Sequence, residues 1–305
     1  MHADSLPPLP LREWEDTLLT WQLMCQIVGK IRLRLHPKIN HWWHVTLYLT
    51  PRGLTTGPIP DGDASFEIRF DLLDQQLVVE TSRGESRRLP LQAGPIRDFY
   101  NGLISALESL GIQAEILPYP YRCKSTEPFP TDTVHTAYDA AAVRRAWEAL
   151  RQINQVFTEF RARFIGKCSP VHMFWHSFDL AVTRFNGNRG PDMPDADPVT
   201  REAYSHELIS AGFWFGDDET VPEPALYSYS FPAPDGLGTQ RLIPEICAWR
   251  TVKGSPMAIL LYEDLRRLDN PRQAVLDFLQ SSYEAGARLA NWRREDLEAP
   301  PQPPM

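Results

Sequence analysis

Two long stretches of this sequence share a pattern that limits the fold more than any other feature. Residues 13–34 carry Trp14, Leu18, Trp21, Met24, Cys25 and Val28 near a 3.6-residue period. Residues 139–164 repeat the spacing with Trp147, Leu150, Val156, Phe157 and Phe160. Such spacing predicts helices with a buried face. Pro37 ends the first, and Gly166 and Pro170 close the second. A histidine-aromatic cluster follows each one, HWWH at residues 41–44 and HMFWH at residues 172–176. Residues 42–49 and 172–185 are rich in β-branched and aromatic side chains and read as strands, the second bent near Ser177. Gly/Pro-marked loops come next, at residues 53–63 and 186–198. Alternating runs at 65–70 and 76–80 flank a hairpin connection at 71–75, and residues 206–215, 226–231 and 256–262 supply further strands. Pro95 and Pro271 then open closing helices that run to about Leu110 and Trp292.

The order helix, histidine-aromatic strand, loop, hairpin, helix therefore occurs twice. Trp43-His44 and Trp175-His176 hold equivalent places, as do Trp14 and Trp147. The expected fold is α+β: two similar α-β-β-β-α repeats whose antiparallel sheets form one pseudo-two-fold globule. Hairpin-like connections favour antiparallel pairing over a doubly wound parallel sheet. The expected organisation is a Pro-rich lead-in at 1–10, a first repeat at 11–120 and a connecting segment with the long helix at 121–170. A second repeat at 171–295 and a disordered PPQPP tail at 296–305 complete it.

Composition excludes several functions. The 305 residues include 31 basic and 39 acidic side chains, net −8, which argues against nucleic-acid binding because phosphate contact needs a concentrated basic face. The apolar run at 257–262 is too short to cross a bilayer, which takes about 20 residues. The first residues lack the charged and apolar regions of a leader. A cytoplasmic location without membrane contact is expected. A duplicated chain can satisfy a two-fold interface within itself, which favours a monomer. Cys25, Cys123, Cys168 and Cys247 form no CxxC and fit neither a zinc ribbon nor a disulfide framework. No GxSxG, Walker, GxGxxG or HExxH motif is present.

Three stretches carry a resemblance: HMFWHSFDLAVTRFNGNRGP, YSHELISAGFWFGDD and ALYSYSFPAPDG. They resemble the signature segments of a bacterial family catalogued as domain of unknown function 5996, and the likeness runs from about Leu9 to Trp292. The resemblance implies a soluble bacterial protein and brings no established activity. The chemistry rests with the residues.

Histidine suits metal ligation and proton transfer near neutral pH, and five of the eight lie in the two clusters or in YSHEL. On one strand, His172 and His176 would stand roughly 13 Å apart, too far to share an ion with bonds of about 2.0–2.1 Å. A site drawing one residue from each element is expected instead. His44, His176 and His206 are the candidate metal ligands, with Glu207 as carboxylate, a set that suits iron or zinc. Without a metal, His172, His176 or His206 could act as general base, oriented by Asp179 or Glu207, while Arg184 holds an anionic group. By period two, Arg184 shares a strand face with His172, His176, Phe178 and Leu180. The candidate catalytic residues are thus His176, His206, Glu207 and Arg184. His44, Trp43, His172, Trp175, Trp214 and Tyr227 would line a ligand pocket. Cys168, beside Lys167, is a weak nucleophile candidate, and Asp217-Asp218-Glu219 reads as a solvated turn. The expected function is a small-molecule enzyme or binding protein with its His/aromatic pocket between the repeats. The alternative is a non-catalytic ligand sensor or partner-binding scaffold with structural histidines.

Overall fold

The computed structural model describes residues 6–217 and 221–300. Within them lie seven α-helices and two antiparallel sheets of six strands each, an α+β fold. The chain divides into two compact units. The first holds Leu9–Arg151 and Met173–Phe178; the second holds the described parts of Met1–Pro8, Gln152–His172 and Asp179–Met305.

The first unit is organised on helix α1 (Glu15–Leu35). The expected single buried face is wider than one stripe, because residues 23–32 are buried without a break. A helix covered on all sides must satisfy its polar members internally. Arg32 donates to the carbonyls of Thr46 and Thr56. The Gln26 amide donates to Tyr121 O and accepts from Tyr121 N. Apolar burial of Trp21, Leu23, Ile27 and Ile31 contributes about 1.5–3 kcal/mol for each aliphatic side chain.

Strands β1 (Tyr48–Thr50), β2 (Gly53–Thr55), β3 (Ile59–Asp61), β4 (Ala64–Asp71), β5 (Gln76–Thr81) and β6 (Ser86–Pro90) follow. They lie in the order β1-β2-β4-β5-β6, with β3 also on β4. Phe66, Ile68 and Phe70 of β4 are buried while Glu67 and Arg69 are half-buried, the period-two signature of a sheet with one covered face. The expected hairpin at 71–75 forms because the Asp71 carboxylate accepts from the N–H groups of Leu73 and Asp74. Helix α2 (Ile96–Glu108) starts behind Pro95 as expected, and α3 (Ala140–Ala162) is the long second helix.

Two local expectations fail here. HWWH is not on a strand: residues Asn40–Trp42 form a 3-10 turn with His41 and Trp42 at φ 55° and 61°. Consecutive left-handed residues turn the chain back, so β1 starts only at Tyr48. The rings then stack at i, i+2, Trp42 on His44 and His41 against Trp43. Conversely, the 53–63 loop contains β2 and β3, which share one edge of β4. Pro60 is tolerated there because an edge position need not donate to the ladder.

The second sheet comprises β7 (His172–Phe174, of which Met173 and Phe174 belong to the first unit), β8 (Asp179–Arg189), β9 (His206–Trp214), β10 (Ala225–Phe231), β11 (Ala248–Val252) and β12 (Ser255–Leu261), in the order β11-β12-β10-β9-β8-β7. Short helices α4 (Pro198–Ala203) and α5 (Tyr262–Arg266) precede α6 (Pro271–Leu289) and α7 (Arg294–Leu297). Pro271 sits at the start of α6, and the Asn270 side chain caps it by accepting from Gln273 N. The expected 172–185 strand is broken at residues 175–178, where Phe178 has φ 54°. His176 therefore lies in a turn, and the face it was to share with Arg184 does not exist.

The order helix, antiparallel sheet, helix recurs in both units. Strand order does not, since the first sheet is a meander whose second strand is interrupted and the other places β11 outside β12. Of the expected tail, residues 301–305 lie outside the described residues, as do Asp218 and Glu219 of the acidic turn.

Candidate functional site

The two histidine-aromatic segments meet inside the first unit. Leu47 and Met173 exchange backbone hydrogen bonds of 2.9 and 2.8 Å, and the Trp175 indole donates to Val45 O at 2.7 Å. Trp175 lies so close to α1 that a Cβ on Gly29 would be 2.0 Å from its ring, so only glycine fits there. Lys30 stands over the same ring, 5.7 Å from its centroid. His44 is buried, with Nδ1 3.2 Å from the backbone N and O of Ile39. His176 is hemmed by the rings of Tyr121, Phe174 and Trp175 at 5.5–5.9 Å, and its carbonyl accepts from Gln22. Burial, aided by Arg122, pushes the His176 imidazole down to about 4. It is neutral at physiological pH. Trp43 packs against His41 and offers its carbonyl to Thr46.

The remaining sequence-chosen residues belong to the second unit. His172 is buried at the start of β7. Arg184 is 1% exposed, and its guanidinium centre lies 3.4, 4.4 and 5.0 Å from the ring centroids of Phe160, Tyr283 and Phe164. It donates to Phe160 O in the last turn of α3, a carbonyl that also accepts from Arg163 N. Burial lowers its pKa to about 10. Enclosed in this way, it is placed to tie α3 to the sheet. Burial also raises the Cys168 thiol to about 11, which leaves it protonated.

The opposite sheet face carries polar groups. Register places Asp179 and Thr183 of β8, Ser210, Gly212 and Trp214 of β9, and Tyr227 and Tyr229 of β10 on one side. The Tyr227 hydroxyl donates to Asp179 at 2.5 Å, the Trp214 ring lies 4.9 Å from Tyr227, and Tyr229 shares a hydrogen bond with Tyr204 at 2.9 Å.

The first and third signature stretches finish, and the second begins, at the same end of strands β8, β9 and β10. Arg189 of β8 pairs with His206 of β9, and Gly190 N donates to Ser205 O. A Cβ on Gly190 would stand 2.7 Å from Tyr204 O and 3.2 Å from the Phe231 ring at the end of β10. Helix α4 adds Arg201, its first turn capped by Asp197 accepting from Val199 N and Thr200 N. The result is a pocket of about 400 Å³ walled by Arg189, Gly190, Asp192, Met193, Arg201 and Ser205. That size lies within the usual range for small-molecule sites. Burial, then Lys167 and Arg189, lowers the His206 pKa; burial and Arg189 lower that of Lys167.

Ser205 and His206 are 3.0 Å apart, Oγ to Nδ1, but do not make an activated nucleophile. The Ser205 hydroxyl donates to Glu202 O at 2.8 Å, so its oxygen must accept from Nδ1–H of His206. That fixes the tautomer and leaves Nε2 as the basic atom. Glu207, next along β9, faces the other side, and its Oε2 accepts from Asn186 and Asn188.

His206 and Glu207 were legible as candidates, whereas Arg189, Arg201, Ser205 and Lys167 were not singled out. Arg189 stood within the quoted NRGP and could have been noticed as a cation at a strand end; nothing in the sequence marked Arg201. Of the expected metal ligands, His44 and His176 belong to the first unit and His206 to the second. No three His, Cys, Asp or Glu side chains among the described residues converge to hold an ion. No described helix is long and apolar enough to cross a membrane. No curated protein and no solved structure matches the chain. The stretches that meet at this end of the sheet are those that carried the resemblance, and a family profile extends the match over residues 6–299: the chain belongs to the Family of unknown function (DUF5996).

Proposed function

We propose that this protein binds a small molecule through a carboxylate or phosphate group, seated between Arg189 and Arg201. One observation carries the reading. In a chain of net charge −8, Arg52, Arg69, Arg83, Arg163 and Arg272 all pair with carboxylates, yet Arg189 and Arg201 make no ion pair among the described residues. Both line the same pocket, with Lys167 and His206 close to Arg189. Planar guanidinium groups suit bidentate contact with carboxylate and phosphate oxygens. An anion there offsets the repulsion from Arg189 that adds to burial in lowering the pKa values of Lys167 and His206. His206, with Nδ1–H committed to Ser205 of the pocket wall, stands beside the pocket and senses the charge of its ligand. Asp192 on the wall disfavours large polyanions and confines the anion to the arginine side.

Isothermal titration with succinate and with inorganic phosphate tests the reading. Saturable binding of either probe, lost in Arg189→Gln/Arg201→Gln at unchanged melting temperature, supports it. Equal binding by the double variant, or no binding of either probe, overturns it.

A further inference from the structure

On the other side of β9 lies a second cavity, of about 180 Å³, with the opposite chemistry. Glu207, Ser230, Phe231, Pro232, Pro234 and Trp292 line it, and none of its lining residues is basic. Asn186 and Asn188 both donate to Oε2 of Glu207, which fixes the carboxylate and leaves Oε1 without a hydrogen bond. Ser230 is 7% exposed overall and lines the same cavity as Glu207. A carboxylate oxygen and a hydroxyl that line one cavity can both accept from a ligand's N–H groups. The walls are aromatic or apolar: Trp292, packed at 6.0 Å on Tyr283, and Phe231, packed at 4.8 Å on Tyr204.

We propose that this cavity binds a primary ammonium group, whose N–H bonds reach Glu207 Oε1 and Ser230 Oγ while Trp292 and Phe231 cover the attached carbon atoms. A carboxylate meets the charge, aromatic faces favour a cation, and the volume admits a short alkyl chain. The site stands apart from the arginine pocket, since His206 and Glu207 are successive residues of a strand and face opposite sides.

The test is a titration of the full chain with ethylammonium chloride, followed at the Trp292 indole N–H resonance, against sodium chloride of equal ionic strength. Tetramethylammonium, which has no N–H to donate, serves as the control. The expected result is a saturable shift with ethylammonium alone, weakened about tenfold or more in Glu207→Gln and reduced in Ser230→Ala. Arg189→Gln/Arg201→Gln should bind ethylammonium as the wild type does, which separates this site from the anion pocket. No saturable shift in the wild type overturns the proposal. So does undiminished binding in Glu207→Gln or, should that variant fail to fold, in Ser230→Ala. Equal binding of tetramethylammonium would replace the hydrogen-bonded ammonium with a purely aromatic cation site.

Discussion

Gly212→Ala should be among the most damaging single-methyl additions to this chain. A Cβ at Gly212 would lie 2.3 Å from both the Cζ and the hydroxyl oxygen of Tyr227, far inside van der Waals contact. The obstructing atoms are the rigid end of a buried aromatic ring whose hydroxyl donates to Asp179. For alanine to fit, the Tyr227 ring must swing off β9 and surrender that bond. Overpacking a filled site costs about 1–3 kcal/mol. Losing the Tyr227 hydrogen bond to the Asp179 carboxylate, 8% exposed, costs about 1.5–3 kcal/mol more. The sum is about 2.5–6 kcal/mol, measurable as a fall in the urea midpoint at constant slope. Tyr227→Phe removes one clashing atom and the hydrogen bond together, so it should cost about 2 kcal/mol alone. Combined with Gly212→Ala it should cost well under the sum of the two, with a coupling of about 1.5 kcal/mol or more. A Gly212→Ala penalty below about 1 kcal/mol, or strict additivity, would refute the reasoning.

Arg184→Met should be close to neutral, because relief of the burial that lowers its pKa to about 10 offsets the lost bond to Phe160, whereas Arg184→Ala should cost about 3–5 kcal/mol through the cavity it leaves; equal penalties by urea denaturation would contradict this. His176 has a folded pKa near 4, below the unfolded value of about 6.5. Its neutral form is therefore favoured by folding, and the stability tied to it is present above pH 6.5 and lost as pH falls toward 4. The loss is about 3 kcal/mol at most, so His176→Asn should flatten the stability profile between pH 6.5 and 4, and an unchanged slope would count against it. Sulfate keeps its charge across pH 5–8, so its affinity for the arginine pocket should rise on acidification as His206 gains a proton. That rise should vanish in His206→Gln.

Helices and hairpins were the legible part of the fold. Residues 13–34, 139–164 and 271–292 announced their helices through apolar period and proline, and the Asp71 turn through its side chain. Strand propensity misled where tertiary demands overrode it. Trp42 and Trp43 favour a strand by type, yet left-handed His41 and Trp42 stack the rings within a turn. Ser86–Pro90 and Ala248–Val252 are half-exposed edge strands with weak alternation, so periodicity passed over them. For the site, His206 and Glu207 were visible because histidine is scarce and chemically distinctive. Arginines are common and ordinarily solvated, and what sets Arg189 and Arg201 apart is that both line one pocket, a property of three dimensions. Arg184 shows the converse: a charge on an apolar face suggested a ligand, and aromatic rings enclose it instead.

Side-chain Nε–H resonances of Arg189 and Arg201, followed in the full chain during a sulfate titration, test the central claim most directly. The account predicts that both resonances shift together along one saturating curve, with the His206 ring titrating upward in pH as sulfate binds. Independent, non-saturating drifts at the two arginines, or an unmoved His206, would contradict an anion seated between them.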